Sequence, residues 1–266
     1  MVSLRDLFLN GGGVPIIDMH GHLGPFSGIY LPEAPLEKMI AGMDRAGVES
    51  LVLSPHSALS GDTREGNDEM LDAVRRHPGR IFGYCTLNPN FPAEVQSEME
   101  RCLVQPGVVG IKIHPNMHAC PVTDDRYNPI WERAQRDRLL VLSHTWGREG
   151  ECGTKAMREI AMHYPEVRLL LGHSCYGDWE EAIRLATEFP NVYLELTAAY
   201  HVYGLIEWMC SDAGSKKVLY GTDYPWFDPM VVVGCIVYAH IEEGDMRNIL
   251  YNNGRRLIDE QRAKQA

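Results

Sequence analysis

Asp18, His20 and His22 stand at alternate positions of the apolar stretch IIDMHGH, residues 16–22. On a β-strand alternate residues share a face, so two imidazoles there could grip one cation. An HxH pair is weak on its own, because a strand running into a polar turn produces the same letters. Other polar residues fall at comparable places. Lys112 and His114 close the run GVVGIKIH, His144 closes LLVLSH, His173 closes VRLLLGH and Asp223 closes KKVLYGTD. Four apolar runs therefore end in histidine in a chain holding 11 histidines, which points to one site rather than to separate core residues. Imidazoles with one carboxylate suit zinc, with manganese, iron or nickel as alternatives, and leave a position for water. Such an ion polarises a substrate oxygen and lowers the pKa of its water towards ~7. Asp223, with two oxygens, could both ligate and accept the proton.

These residues need a scaffold that brings strand ends together. Eight short runs read as strands: VPIIDMH, ESLVLSP, RIFGYCTL, GVVGIKIH, LLVLSH, VRLLLGH, NVYLEL and KKVLYGTD. Each is nearly continuously apolar, as a parallel strand covered on both faces should be. Between them, helices are predicted over 35–46, 67–76, 92–103, 127–137, 154–163, 178–187, 202–212 and a broken 229–251. Turn signals such as HPGR, YPEV and PNV separate helix from strand. Eight βα units in this length predict an α/β fold, a (β/α)8 TIM barrel with the site at the C-terminal ends of the strands. An open doubly wound sheet is the alternative, but the first strand lacks the G-x-G-x-x-G turn of a dinucleotide fold.

Composition narrows the function. The chain has 266 residues, 45% hydrophobic and 23% charged, which suits one domain over 1–266. A net charge of -11 without a basic stripe argues against nucleic acid and anionic membranes as partners. No run reaches the ~18 apolar residues of a membrane span, and MVSLRDLFLNGGG has no leader-like pattern, so a cytoplasmic location is expected. The seven cysteines, an odd number without a CxxC pair, read as reduced thiols. The expected partner is a small-molecule substrate; a homo-oligomer is compatible with the sequence.

DMHGH at 18–22, GIKIHP at 110–115, LSHTW at 142–146, LGHS at 171–174 and GTDYPW at 221–226 together resemble the metal-dependent amidohydrolase superfamily. Within it the chain is similar to the amidohydrolase 2 branch, which includes aminocarboxymuconate semialdehyde decarboxylase and 2-pyrone-4,6-dicarboxylate lactonase. The resemblance runs from about residue 14 to 258. It implies that His20, His22, His144 and Asp223 bind one metal, expected as one zinc ion per chain, and that Asp223 and His173 are catalytic. Lys112 and His173 would become ligands if a second metal were held across a carboxylated lysine. One metal is usual in this branch, so Lys112 is read as an ammonium that binds substrate, with His114 as a second contact.

Two departures from the branch pattern stand out: Glu195 where an aspartate is common, and Arg148 beside Trp146 in the loop WGREGECGT. Arg148 and Lys112 could clamp an acidic substrate, since a guanidinium binds carboxylate in a two-point fork. Trp146 is counted with the substrate contacts. Cys120, Cys152 and Cys175 fall in loops at the same face but lack a paired base, so they are read as bystanders. The main functional expectation is a hydrolase using metal-activated water on a small carboxylate-bearing lactone, amide or related bond. The alternative is a lyase: a non-oxidative decarboxylase of an aromatic or unsaturated carboxylic acid with the same metal site.

Overall fold

The computed structural model describes residues 13–264; residues 1–12, which hold most of the segment read above for a leader, and 265–266 lie outside the described residues. Eight strands follow in order: β1 (Ile16–Leu23), β2 (Val48–Pro55), β3 (Ile81–Thr86), β4 (Val108–Ile113), β5 (Leu140–Trp146), β6 (Arg168–Tyr176), β7 (Val192–Glu195) and β8 (Val218–Leu219). Each pairs in parallel with the next, so one sheet runs from β1 to β8 in chain order. The two-residue β8 meets β1 through individual hydrogen bonds: the Met19 N–H donates to the Tyr220 carbonyl at 3.0 Å and the His22 N–H to that of Tyr224 at 2.7 Å. With helices alternating outside, the fold is the expected (β/α)8 barrel. Among the described residues no helix is long and apolar enough to cross a membrane.

Helices Leu36–Ala46, Pro92–Cys102, Asn128–Asp137, Thr154–His163 and Trp179–Glu188 lie within a residue of their predicted limits. The predicted 67–76 helix begins earlier, at Thr63, because Asp62 accepts from the Glu65 N–H and so supplies an N-cap outside the apolar pattern. In place of 202–212 a short helix, Leu205–Met209, runs into a wider turn at Cys210–Gly214. The broken 229–251 segment resolves into Pro229–Tyr238, Glu243–Arg247 and a further helix, Asn253–Arg262, that the pattern had not continued into. From that last helix Leu257 and Ile258 join Ile17, Phe82, Leu140 and Leu219 inside the barrel, closing the end where the strands start. A second apolar layer, with Met39, Met70, Met99, Trp131 and Leu185, fills the space between sheet and helices.

The barrel interior exposes an error of strict alternation. Ile17 and Met19 both face inward, so on a regular strand His20 and His22 would point out towards the helices. Instead, the pairing of β1 with β2 shifts register between Asp18 and Gly21, and the extra residue re-aims the end of the strand. Gly21 permits this, since a Cβ there would stand 2.6 Å from Leu51. Asp18 is consequently not a companion of the two histidines. It is buried at the seam, where it accepts from the His20 N–H at 3.0 Å and from the Thr222 hydroxyl, joining β1 to the residues after β8. Asp18→Ala should therefore lower stability by about 1–3 kcal/mol, the cost of stranding buried donors, with Asp18→Asn milder because its oxygen can still accept from His20. Denaturant midpoints for the two variants measure this.

Candidate active site

Each site residue is aimed by a local device. His20 Nδ1 lies 2.8 Å from Glu195 Oε2, at the end of β7. His22 Nδ1 lies 3.1 Å from the Ser54 carbonyl. Both partners are acceptors, so Nδ1 carries the proton and each Nε2 lone pair turns towards the barrel mouth. His173, Ser174 and Cys175 have φ of 64°, 48° and 52°, three successive left-handed residues without a glycine. That run turns His173 inward from a position that, by alternation from inward-facing Leu170, would point outward. It is held by the His173 N–H donating to Glu195 Oε2 at 3.1 Å, the Ser174 hydroxyl to the Glu195 carbonyl at 2.8 Å and the Cys175 N–H to Thr145 Oγ1 at 2.8 Å. Asp223, at φ 57°, follows the same pattern, which aspartate tolerates better than most residues.

These devices converge. A nitrogen of His20, a nitrogen of His173 and an oxygen of Asp223 lie within 4.8 Å of one another. Asp223 Oδ1 is 2.9 Å from His20 Nε2 and 3.2 Å from His22 Nε2, yet it is buried without a satisfied hydrogen bond, and so is His173 Nδ1. An orphaned carboxylate oxygen facing imidazole lone pairs fits a divalent cation. Burial pushes His22 down to about 3 and His173 down to about 4, and holds His114 and His144 well below the usual range. Neutral imidazoles are the form that ligates. His20 alone is raised: burial lowers it, but the charges of Asp223 and Glu195 outweigh burial. Burial also pushes up the Asp223 carboxyl, and the His20 and His173 rings more than offset this, leaving it well below its ordinary value. Lys112 is buried with Nζ 2.6 Å from His20 Nε2, and burial pushes its pKa down to about 8.

Above this floor lies a cavity of about 410 Å³, lined by His22, Lys112, His114, His144, His173 and Asp223 below and by Phe26, His56, Trp146, Trp226 and Phe227 as walls. A larger cleft of about 790 Å³ carries none of this chemistry; Arg75, Phe82 and Arg262 line it, near the strand starts. His144, expected as a ligand, is outside the close cluster: its ring stacks on His114 at 4.0 Å and stands 4.6 Å from that of His173. Trp146 lines the cavity, stacked on Tyr176 at 4.3 Å. Arg148 does not reach the cavity. Its loop folds back, with the Thr154 N–H donating to Gly147 O and that of Lys155 to Arg148 O, and leaves the guanidinium side exposed. Arg148→Ala should accordingly leave KM within about twofold of wild type, as surface changes do; a tenfold rise measured in steady-state assays would bring the arginine back to the substrate. The three loop cysteines are buried, and burial pushes Cys152 and Cys175 up to about 12, which keeps both as thiols at neutral pH and argues against thiolate nucleophiles there.

The sequence reading passed over four residues of the cavity wall, Phe26, His56, Trp226 and Phe227. His56 follows the second strand, stacked on His22 at 4.9 Å; its Nδ1 is 2.7 Å from the Gly24 carbonyl and its Nε2 accepts from the Trp226 indole at 2.8 Å. Its signal was available, a fifth histidine directly after an apolar run. Trp226 lay inside the quoted GTDYPW but had no assigned task.

The sequence pattern of the amidohydrolase family matches residues 17–259. The chain belongs to the amidohydrolase family, in its amidohydrolase 2 branch. This amidohydrolase is 24% identical to the gamma-resorcylate decarboxylase of Polaromonas sp. strain JS666 over 84% of its own length and 86% of the relative's. It is 21% identical to the 2-amino-3-carboxymuconate-6-semialdehyde decarboxylase of Dictyostelium discoideum, over 72% of its length and 65% of the relative's. Among solved structures, it superposes with a TM-score of 0.76 on a Polaromonas dihydroxybenzoic acid decarboxylase with bound manganese and the inhibitor 2-nitroresorcinol, at 18% identity over 94% of this chain and 98% of that one. It superposes with a TM-score of 0.74 on the 5-carboxyvanillate decarboxylase of Sphingomonas paucimobilis, at 17% identity over 93% of this chain and 99% of that one. The family makes this chain an enzyme of the amidohydrolase superfamily, and the donor set suits a divalent metal.

Proposed function

We propose that this amidohydrolase is a metal-dependent, non-oxidative decarboxylase of a small aromatic carboxylic acid, the lyase alternative raised by the sequence, rather than the hydrolase that stood first. The observation that carries the reading is a cavity with flat aromatic walls, Phe26, Trp146, Trp226 and Phe227, over a floor of imidazoles, one carboxylate and one lysine. Such walls favour a planar ring, and aromatic pairing adds about 0.5–1.5 kcal/mol per pair to the area buried. The curated relatives named above act on carboxylic acids and release carbon dioxide, as their names state, which supports the same choice. His20, His22, His173 and Asp223 would hold the ion, and manganese becomes as reasonable a candidate as the zinc first expected. When bound, the ion supplies Lewis acidity to the substrate oxygens.

The chain's own groups account for the rest. Decarboxylation needs a proton delivered to the ring carbon; the electron pair of the broken carbon–carbon bond then stays on the ring and carbon dioxide leaves. Asp223 is the carboxylate that lines the cavity, and its Oδ2, the oxygen not turned to the His20 and His22 rings, would take a proton from solvent and pass it to that carbon. Lys112, whose pKa of about 8 keeps it mostly an ammonium at neutral pH, lines the cavity floor and would meet the substrate carboxylate there. The test is a panel of ortho-hydroxybenzoates, unsaturated carboxylic acids, lactones and amides offered to metal-analysed protein. Carbon dioxide release from a hydroxybenzoate is expected; opening of a lactone or amide with no carbon dioxide from any acid would return the hydrolase reading.

A further inference from the structure

Glu195 is a buried carboxylate in the barrel mouth that no step above employs. Its two oxygens meet three donors. Oε2 accepts from His20 Nδ1 at 2.8 Å and from the His173 N–H at 3.1 Å, while Oε1 accepts from the Thr197 N–H at 2.6 Å. Gly221 makes room for it, since a Cβ there would stand 1.9 Å from Oε1. We infer that Glu195 is the positioning residue of the metal centre, one carboxylate that fixes both the His20 ring on β1 and the left-handed turn carrying His173 on β6.

The donor count carries the argument. Every partner of Glu195 is an N–H, so both oxygens must accept, and only the ionised carboxylate has acceptors on both sides. A glutamine of the same shape must turn its NH2 either to Thr197 N–H or to the pair formed by His20 Nδ1–H and His173 N–H, setting donor against donor in a buried place. Turned to Thr197 it loses one contact, and turned to the pair it loses two. Turned towards His20, it favours the opposite tautomer, in which Nε2 holds the proton and has no lone pair for a cation. Holding the Nδ1–H tautomer is what a carboxylate behind a ligating histidine does, and loss of such a partner typically weakens metal affinity about 10- to 100-fold. Glu195 differs from an ordinary carboxylate–histidine pair in its reach: the same Oε2 also holds the His173 backbone, so the two imidazoles are registered to each other by one atom. The inference rests on the metal-site part of the proposed function and is independent of the substrate.

The test titrates metal-free protein with Mn2+ and reads the dissociation constant, first in the wild type. If the wild type holds no Mn2+ or Zn2+, the metal site itself fails. If it does, Glu195→Gln should bind Mn2+ 10- to 100-fold more weakly, and in a His20→Ala background the same change should cost at least threefold less than in the wild type, because the part of its effect that passes through that ring is already gone. A merely structural role would give equal losses in both backgrounds and would overturn the inference, as would a Glu195→Gln protein with wild-type affinity. Gly221→Ala, which displaces the carboxylate while keeping its charge, should reproduce the loss if Glu195→Gln does not fold; wild-type affinity there counts against the inference. Proton NMR on the Zn2+-loaded wild type adds a reading that needs no folded variant of Glu195: a downfield, slowly exchanging His20 Nδ1 proton is expected, and its absence overturns the assignment.

Discussion

Asp223→Asn should give a folded protein whose turnover falls by about 100- to 10,000-fold and stays low at saturating metal, the loss expected when a positioned proton carrier is removed. Asparagine keeps the size and one acceptor oxygen, and at φ 57° it is as well suited to the left-handed backbone as aspartate, so folding should change little. What disappears is the negative charge. The His20 and His173 rings hold that carboxyl far below its ordinary range, so the wild-type group is anionic across the neutral range and, once protonated, gives the proton up readily. The amide cannot carry that proton. Turnover and bound metal, followed together through a metal titration, separate this from a simple loss of ligand, and near-normal turnover in Asp223→Asn would remove the central proton carrier.

His20→Ala should have the second large effect, of a different kind. It removes the nitrogen that faces Asp223 at 2.9 Å and Lys112 at 2.6 Å, and also the ring that satisfies Glu195 at 2.8 Å. Three buried ionisable groups lose a partner at once, and breaking such a buried network typically costs 3–5 kcal/mol. The variant should therefore melt lower and bind metal much more weakly than the wild type, loading only at high metal concentration. His22→Ala removes a ring whose other nitrogen contacts only Ser54 and should be milder, metal-poor but partly rescued by added metal. Calorimetric melting and metal analysis of the two variants distinguish them; equal stability would mean that the strand-one histidines are interchangeable.

Much of this site was legible in the sequence because it is written in strand ends. Runs such as LLVLSH show where inward parity should leave His144, and on β5 alternation holds from Leu140 to that residue. It fails on β1 and β6. There the histidines face inward only because of a register shift at Asp18–Gly21 and a run of left-handed residues at 173–175. Neither feature has a sequence signal beyond a glycine within the first, and the site residues were found by their chemistry rather than by their phase. Arg148 was misplaced for a related reason. A cation beside Trp146 in sequence looks like a clamp, but backbone bonds from Thr154 and Lys155 hold the loop away from the cavity. Glu195 stood out as a departure from the branch pattern, and its three donors arrive from β1, β6 and its own strand end, a convergence that only tertiary structure reveals.

The most direct measurement is carbon dioxide release from an ortho-hydroxybenzoate by metal-free protein to which Mn2+ is added in known amounts, with bound metal counted at each step. The account predicts no turnover at zero metal, a linear rise, and a break at one ion per chain. Carbon dioxide release that persists without metal, or metal binding at one ion per chain with no decarboxylation of any acid in the panel, would contradict it.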